Sequence, residues 1–356
     1  MKIYLKKIYK KLVKLIFFFI YGKITISNES SGSIKKKLIK KKIFNNKNYF
    51  IYEIKNGVIF TDNVQNVAAI NDNKMYPPAS FQHAKNKLVS AKFNPVLNTG
   101  TTKIKKKYKG TILSLVQGAS TENYFHWLLD ILPKIKICFE NYSLIKIDYF
   151  YLSNLSISQI ESLKYLGIKK KQIINSKIHN HISADKIIFV SHPWYNQGKF
   201  HDQSYKLPKW IISWIRSYFI KYKKKFKSGK KIYLDRSESK YNHCQIINDK
   251  ELKSYLIKKN FKTVKLSKLS FAKQIFMFWN AKCIIGAHGA AFSNLIFCRP
   301  KTKVIEIKPF NHPGKNYQRI SEINHLNYKS VTSSKKYLKN KNGDIFVNIK
   351  LLSKLI

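Results

Sequence analysis

The segment Ile284-Ile285-Gly286-Ala287-His288-Gly289-Ala290-Ala291-Phe292-Ser293-Asn294 constrains this chain more than any other stretch. The apolar run from Lys282 to Ile285 reads as a buried strand, and Ala291 to Cys298 as a helix. Between them lie small residues and one histidine. Strand, glycine turn and helix, in that order, aim free backbone N–H groups at an anion. Glycine lets the backbone approach a ligand closely, and His288 adds a donor at the mouth. A second strand, Lys303 to Ile307, follows Pro300 and carries Glu306 as a lone acid among apolar neighbours. The set reads as a pocket for a phosphorylated ligand that also bears a sugar hydroxyl.

The rest of the second half fits around that unit. It runs strand (231–234), helix (249–258), strand (261–264), helix (271–280), then the strand, turn, helix and strand just described. This alternation predicts a doubly wound parallel sheet and an α/β class. In the first half, residues 23–48 read as loop, 49–70 as strands with a hairpin, 75–102 as irregular and 111–116 as a buried strand. Ser120 or Thr121 can cap the helix that follows. Further strands are expected at 148–152, 173–174 and 186–190, and a helix at 158–166 stops at Gly167. On the helix from Pro208 to Lys225, Trp210, Trp214 and Tyr218 share one face and read as core. The basic stretch Lys221–Lys231 separates the halves. The expected organisation is a basic segment over 1–48, one domain over 49–225 and another over 226–356.

The formal charge is +50, from 68 Lys and Arg against 18 Asp and Glu. With 44% apolar and 14% aromatic residues, the chain is not a disordered basic tail. Only four of the 68 basic residues are Arg: Arg216, Arg236, Arg299 and Arg319. A reader of nucleic acid favours the planar Arg fork, and aromatics here sit within apolar runs, so no specific nucleic acid is expected as a partner. The charge fits a bias in residue usage, with attraction to anionic lipid or substrate left over, and binding to nucleic acid or an anionic membrane stands as the rival function. Met1 to Tyr21 holds a short apolar stretch, Leu12 to Tyr21, broken by Lys14 and about half the ~20 residues a spanning helix needs. It reads as a Lys-rich helix on an anionic membrane surface, or as an ordinary first helix. The expected location is cytoplasmic, or peripheral at the cytoplasmic membrane. Cys138, Cys244, Cys283 and Cys298 form no C-x-x-C pair and read as buried free thiols. No Asp-x-Asp pattern calls for a divalent ion, and no metal site or cofactor is expected.

Two constellations can carry chemistry. Glu122, His126 and Asp130 are spaced by four and share a helical face. A carboxylate beside an imidazole orients the ring and stabilises its cation, which is a general-base arrangement. The alternative is a solvated face with Glu122 as a cap. In the second half, Tyr233-Leu234-Asp235-Arg236 places an arginine at a strand's C-terminal tip, where open α/β sheets bind ligands. Arg236 can grip a pyrophosphate with paired hydrogen bonds, or form an ion pair with Asp235 or Glu238. Glu306 can accept from ribose hydroxyls or cap a helix. His192, Trp194, Tyr195 and His201 are candidates for an acceptor site.

Three blocks together resemble glycosyltransferase family 61: Asn123 to Pro133; Tyr233 to Ser237 with Ile247-Asn248-Asp249; and Gln274 to Ala281, His288 to Asn294, Phe297 and Val304 to Ile307. The family usually carries a second Arg before the Asn of the middle block. Here that segment reads Tyr241-Asn242-His243-Cys244-Gln245, and His243 or a lysine stands in or phosphate binding is weaker. The resemblance implies a GT-B architecture, with two Rossmann-like doubly wound domains facing across a cleft. It implies inverting, metal-independent transfer from a nucleotide sugar, a UDP-sugar first, to a glycan or lipid-linked glycan in capsule or surface polysaccharide synthesis. On that reading Arg236, His288, Gly289, Ala290 and Asn294 hold the donor, Glu306 its ribose, and Asp130 or His126 is the base. A catalytically inactive relative acting as an assembly partner is the other reading.

Overall fold

The computed structural model describes residues 2–27, 32–62, 66–80, 83–84, 87–116, 122–142, 146–195, 198–225, 229–237, 243–310, 312–333 and 343–356. They fall into two compact units, residues 1–155 with 166–200 and residues 156–165 with 201–356. The second unit thus starts before position 226 and takes in the helix Ile157–Tyr165 from the middle of the chain. Two contacts hold that helix there. Glu161 Oε2 accepts the backbone N–H of Phe271 at 2.5 Å, and the Tyr165 ring stacks on Tyr222 at 4.1 Å.

In chain order the first unit has strands β1 (Thr25–Ile26), β2 (Ile34–Lys40), β3 (Asn48–Thr61), β4 (Val67–Asn71) and β5 (Lys74–Met75). A small separate ladder, β6 (His83–Ala84) with β7 (Lys87–Leu88), precedes β8 (Lys106–Ser114), β9 (Tyr149–Leu152), β10 (Ile173–Asn175) and β11 (His181–Val190). All but β6 and β7 form one sheet of order β1-β5-β4-β3-β11-β8-β9-β10, with β2 also on β3. The four strands β11-β8-β9-β10 are mutually parallel. The others are not doubly wound, which corrects the expectation for this half. Short links join β2 to β3 and β3 to β4, and strands joined that way pair antiparallel. The 14-residue β3 holds β2 along Asn48–Ile54 and β4 along Val58–Thr61, with β11 on its other side. β2 falls in the stretch expected to be loop. Its alternation is masked by Lys35, Lys36, Lys37 and Lys40, side chains that also guard a sheet edge against unwanted pairing.

The second unit has β12 (Lys231–Leu234), β13 (Lys262–Val264), β14 (Cys283–Ala287), β15 (Lys303–Lys308) and β16 (Asn327–Thr332), all parallel, in the order β13-β12-β14-β15-β16. This is the doubly wound 2-1-3-4-5 order. Its central strands β12, β14 and β15 are short apolar runs buried on both faces, and on one of them Tyr233, Ile285, Ile305 and Ile307 pack with Leu252 and Leu256 of the helix Asp249–Lys258. On the helix Lys209–Phe219, Trp210 is buried with Ile211, Ile212, Ile215 and Phe219, while Trp214 and Tyr218 are half-buried. The four cysteines are free and buried, and burial pushes the Cys138 thiol up to about 12 and Cys283 to about 11.

Ala290–Phe297 forms a 3-10 helix where an α-helix is expected. Tertiary donors satisfy the carbonyls at its C-terminal end, where intrahelical partners run out. Asn324 Nδ2 donates to Leu295 O at 3.0 Å and Ile296 O at 2.9 Å, and Arg216 Nη1 donates to Ile296 O at 2.9 Å and to Cys298 O. Arg216 is therefore a structural clamp.

Candidate functional site

In the first unit the ends of β8 and β11 lie side by side, since these strands are parallel neighbours. The chain moves from β8 to β9 and β10 on one side, whereas β11 lies on the other. That reversal is a topological switch point, where open sheets bind ligands. After β8 comes one continuous helical stretch, Tyr124–Phe139, capped by the Asn123 side chain, which accepts from Phe125 N at 2.9 Å. Ser120 and Thr121 lie outside the described residues. Trp127–Ile131 is a π-turn, with the Leu132 N–H bonded to Trp127 O. Such turns favour functional sites because they re-aim side chains within a helix.

The π-turn holds Asp130, only 1% exposed. Its Oδ2 lies 2.7 Å from His126 Nδ1 and 3.2 Å from His192 Nε2, and its Oδ1 accepts from Trp194 Nε1 at 2.7 Å. His192 and Trp194 follow the end of β11. Burial alone would push the Asp130 carboxyl up; the His192 and His126 rings outweigh it and hold the group below the usual range. The two histidines differ. His192 Nδ1 accepts backbone N–H groups from Trp194 at 3.3 Å and Tyr195 at 2.8 Å, so its proton is on Nε2, facing Asp130. Burial also lowers its pKa, which suits a fixed neutral ring. His126 is the open one, its side chain 19% exposed, edge-on to Phe125 and Phe200 at 5.4 and 5.2 Å. Glu122 is not on this face: it precedes the helix and pairs with Lys177.

One turn beyond Asp130 sits Lys134, 1% exposed and missed from the sequence because Lys is so abundant. Burial lowers its ammonium to about 7, against an opposing pull from Asp130. The unfolded chain, with Lys near ~10.4, binds the extra proton between those two values, so stability rises with pH across that window. Lys134→Met is expected to exceed the parent in stability at about pH 7 by on the order of a few kcal/mol, with the gap closing toward about pH 10. Urea midpoints at both pH values measure this, and a gap that does not change with pH contradicts it.

In the second unit the reversal lies between β12 and β14, whose ends are aligned by the Leu234–Gly286 register. Gly286 permits that packing, since a Cβ there would meet Leu234 Cβ at 2.9 Å. Just past β12 is Arg236, and just past β14 are His288 and Gly289. Arg236 Nη1 donates to His288 O, and Nη2 to His243 O at 3.4 Å. Asp235 does not take the arginine. Lys253 bridges Asp235 at 3.1 Å and Asp249 at 2.5 Å instead. The guanidinium lies directly over Gly289, where a Cβ would fall 1.4 Å from Nη1. Gly289 is extended, so its need for glycine comes from the arginine and not from its own φ. Gly289→Ala is expected to displace the fork and weaken binding of an anion there by about 10- to 100-fold, the worth of a hydrogen bond to a charged group. Calorimetry with a nucleoside diphosphate reads this directly, and parent-like affinity refutes it.

Ala290 and Ala291 are half-buried at the start of the 3-10 helix, where the first N–H groups have no intrahelical partner. Asn294 is buried, with Nδ2 donating to Gln274 Oε1 at 3.2 Å and Ala291 O at 3.3 Å, so it braces the turn from behind. Glu306 is 1% exposed. Its Oε1 lies 2.5 Å from His288 Nδ1, and its Oε2 accepts from the Tyr328 hydroxyl. With its oxygens bonded to His288 and Tyr328, Glu306 orients His288. Sequence reasoning passed over Lys308 and His312. The His312 ring lies 3.8 Å from His288, and His201 is 5.5 Å from His312 on its other side. Burial first, then His288, His201, Lys308 and His243, drives the His312 pKa down to about 3. Its signal was positional: His312-Pro313-Gly314 lies soon after the C-terminal end of β15. Among the described residues, no three His, Cys, Asp or Glu side chains are arranged to hold a metal ion.

The second unit is thus an open α/β sheet with a basic cluster at its switch point, the class that binds anionic ligands at strand ends. A sequence profile described as Glycosyltransferase 61 matches residues 124–305, which span the helix of His126 and the ends of β12 and β14. The chain belongs to glycosyltransferase family 61 and is a glycosyltransferase. No curated protein sequence matches it significantly. Among solved structures, a mutant flavo di-iron protein from Thermotoga maritima is similar at a TM-score of 0.23 and 8% identity, over 84% of this chain and 94% of that one. That likeness is too slight to carry an argument.

Proposed function

We propose that this glycosyltransferase moves a sugar, with inversion, from a nucleotide-sugar donor to a hydroxyl of a glycan or lipid-linked glycan, in capsule or surface polysaccharide synthesis. The second unit takes the donor and the first supplies the base. The observation that carries the reading is Arg236 laid over Gly289 at the β12–β14 switch point. Arg236, the N–H groups of Ala290 and Ala291, and His288 held by Glu306 neutralise the diphosphate as the anomeric C–O bond breaks. Lys308 adds positive charge at this end of the sheet, while His312, its pKa driven down to about 3, stays neutral and serves as a hydrogen-bonding ring.

His126 is the base. It is the more exposed partner, whereas Asp130 is buried with both oxygens engaged. The Asp130 carboxylate accepts a hydrogen bond from Nδ1–H and stabilises the imidazolium formed when Nε2 takes the acceptor's hydroxyl proton. The acceptor oxygen then attacks the anomeric carbon from the face opposite the leaving diphosphate. A thermal-shift and hydrolysis panel with UDP-, GDP-, CMP- and dTDP-sugars, with and without EDTA, tests the proposal. Stabilisation by one nucleotide class, unchanged by EDTA, is expected, with UDP-sugars first. A lack of response to every nucleotide counts against it.

A further inference from the structure

The helix Lys2–Tyr21 is amphipathic in a way that the other described residues leave unused. At about 100° per residue, Tyr4, Ile8, Leu12, Leu15 and Phe19, with Leu5, Tyr9, Ile16 and Ile20 beside them, fill one arc of roughly 160°. These side chains are exposed: Leu12 is 54%, Leu15 64% and Phe19 94% accessible. Lys6, Lys7, Lys10, Lys11 and Lys14 occupy the opposite arc, and the helix has no acidic residue.

The helix is nonetheless anchored to the first unit, and by its lysine side. The Tyr21 ring meets His181 edge-on at 5.0 Å, and the Tyr21 hydroxyl accepts the Lys105 N–H at 2.9 Å. Phe18 lies against Gly100. Docking therefore turns the apolar arc outward. Beside the helix foot runs a second basic stretch, with Lys103, Lys105, Lys106, Lys107 and Lys109 exposed and Ile104 81% accessible. No described helix is long and apolar enough to cross a membrane.

We infer that Lys2–Tyr21 lies in the plane of an anionic lipid bilayer, with the arc from Tyr4 to Ile20 immersed in the acyl boundary. The lysines of the helix and of Lys103–Lys109 meet the headgroups. An apolar arc is worth burying only in a medium that excludes water, and a flanking cationic surface selects acidic lipid over a second copy of this equally cationic chain. The inference is independent of the transfer chemistry.

Flotation of the full chain with phosphatidylcholine vesicles, and with vesicles containing phosphatidylglycerol as well, tests it. Binding to the anionic vesicles, weakened by salt and nearly absent on phosphatidylcholine alone, is expected. The double variant Leu12→Glu with Phe19→Glu should lose at least about ten-fold in partitioning. Because both positions are exposed, its Tm and its transfer to a soluble acceptor should match the parent's. Absence of flotation, or equal flotation of the double variant, overturns the inference. So does a parent dimer that the double variant converts to monomer while vesicle binding is unchanged, which would assign the face to a second copy.

Discussion

Replacing His126 by alanine is expected to lower kcat by about a hundred- to ten-thousand-fold while leaving donor KM nearly unchanged, because a general base acts in the transition state and contributes little to donor binding. The ring is partly exposed at the edge of the Asp130 network, and Asp130 keeps His192 and Trp194 as partners, so the variant should fold. Asp130→Asn should lose a similar factor for a different reason. An amide next to His126 Nδ1 cannot stabilise an imidazolium, and it presents an N–H where His126, His192 and Trp194 already donate. Asp130→Asn has a second signature. A carboxyl held below its unfolded value contributes stability that is present above ~3.9 and is lost as pH falls toward the folded value. The parent should therefore lose stability on acidification by on the order of a few kcal/mol that the asparagine variant never had. Steady-state rates and denaturation midpoints from neutral to acid pH measure both effects. An unchanged kcat in His126→Ala removes this histidine as the base.

Arg236→Ala is expected to reduce kcat/KM by about 10²–10³-fold and to weaken nucleoside diphosphate binding as well. Arg236→Lys should recover little of the loss. The guanidinium donates from two nitrogens, to His288 O and His243 O, and its flat face fits over Gly289. An ammonium has neither the fork nor the plane. Calorimetric titration with the preferred nucleotide, beside the rate measurement, separates binding from chemistry. Arg236→Ala with parent-like affinity for every nucleoside diphosphate would move the donor away from the β12–β14 switch point.

Much of the site was legible because its parts are local. His126 and Asp130 are one helical turn apart, and a spacing of four survives even the π-turn between them. Arg236 and His288 were legible because each directly follows a short apolar strand in an alternating α/β pattern. The same logic failed where an element's surroundings decided its form. Ala290–Phe297 carries an apolar pattern suited to an α-helix, yet it is a 3-10 helix whose last carbonyls are held by Asn324 and Arg216, partners that no local pattern announces. Asn294 lies within the motif, but packing turns it toward Gln274.

Partners distant in sequence were legible as types and not as roles. His192 and Trp194 were noticed as polar aromatics, and only the parallel pairing of β8 with β11 brings them to Asp130. Glu306 read as a ribose acceptor or a helix cap, and only the sheet register sets His288 and Tyr328 against its two oxygens. Lysine content hid both the edge strand Ile34–Lys40 and the buried Lys134, since a residue used everywhere marks no position. The family followed from the resemblance of three short blocks, and the α/β class and the candidate base pair and phosphate grip from residue type and short-range spacing, which the backbone's periodicity converts directly into geometry. The division of roles between His126, Asp130 and His192, the duty of Glu306 and the outward arc of Lys2–Tyr21 depended on which distant groups tertiary packing brings within hydrogen-bond reach or buries away from water.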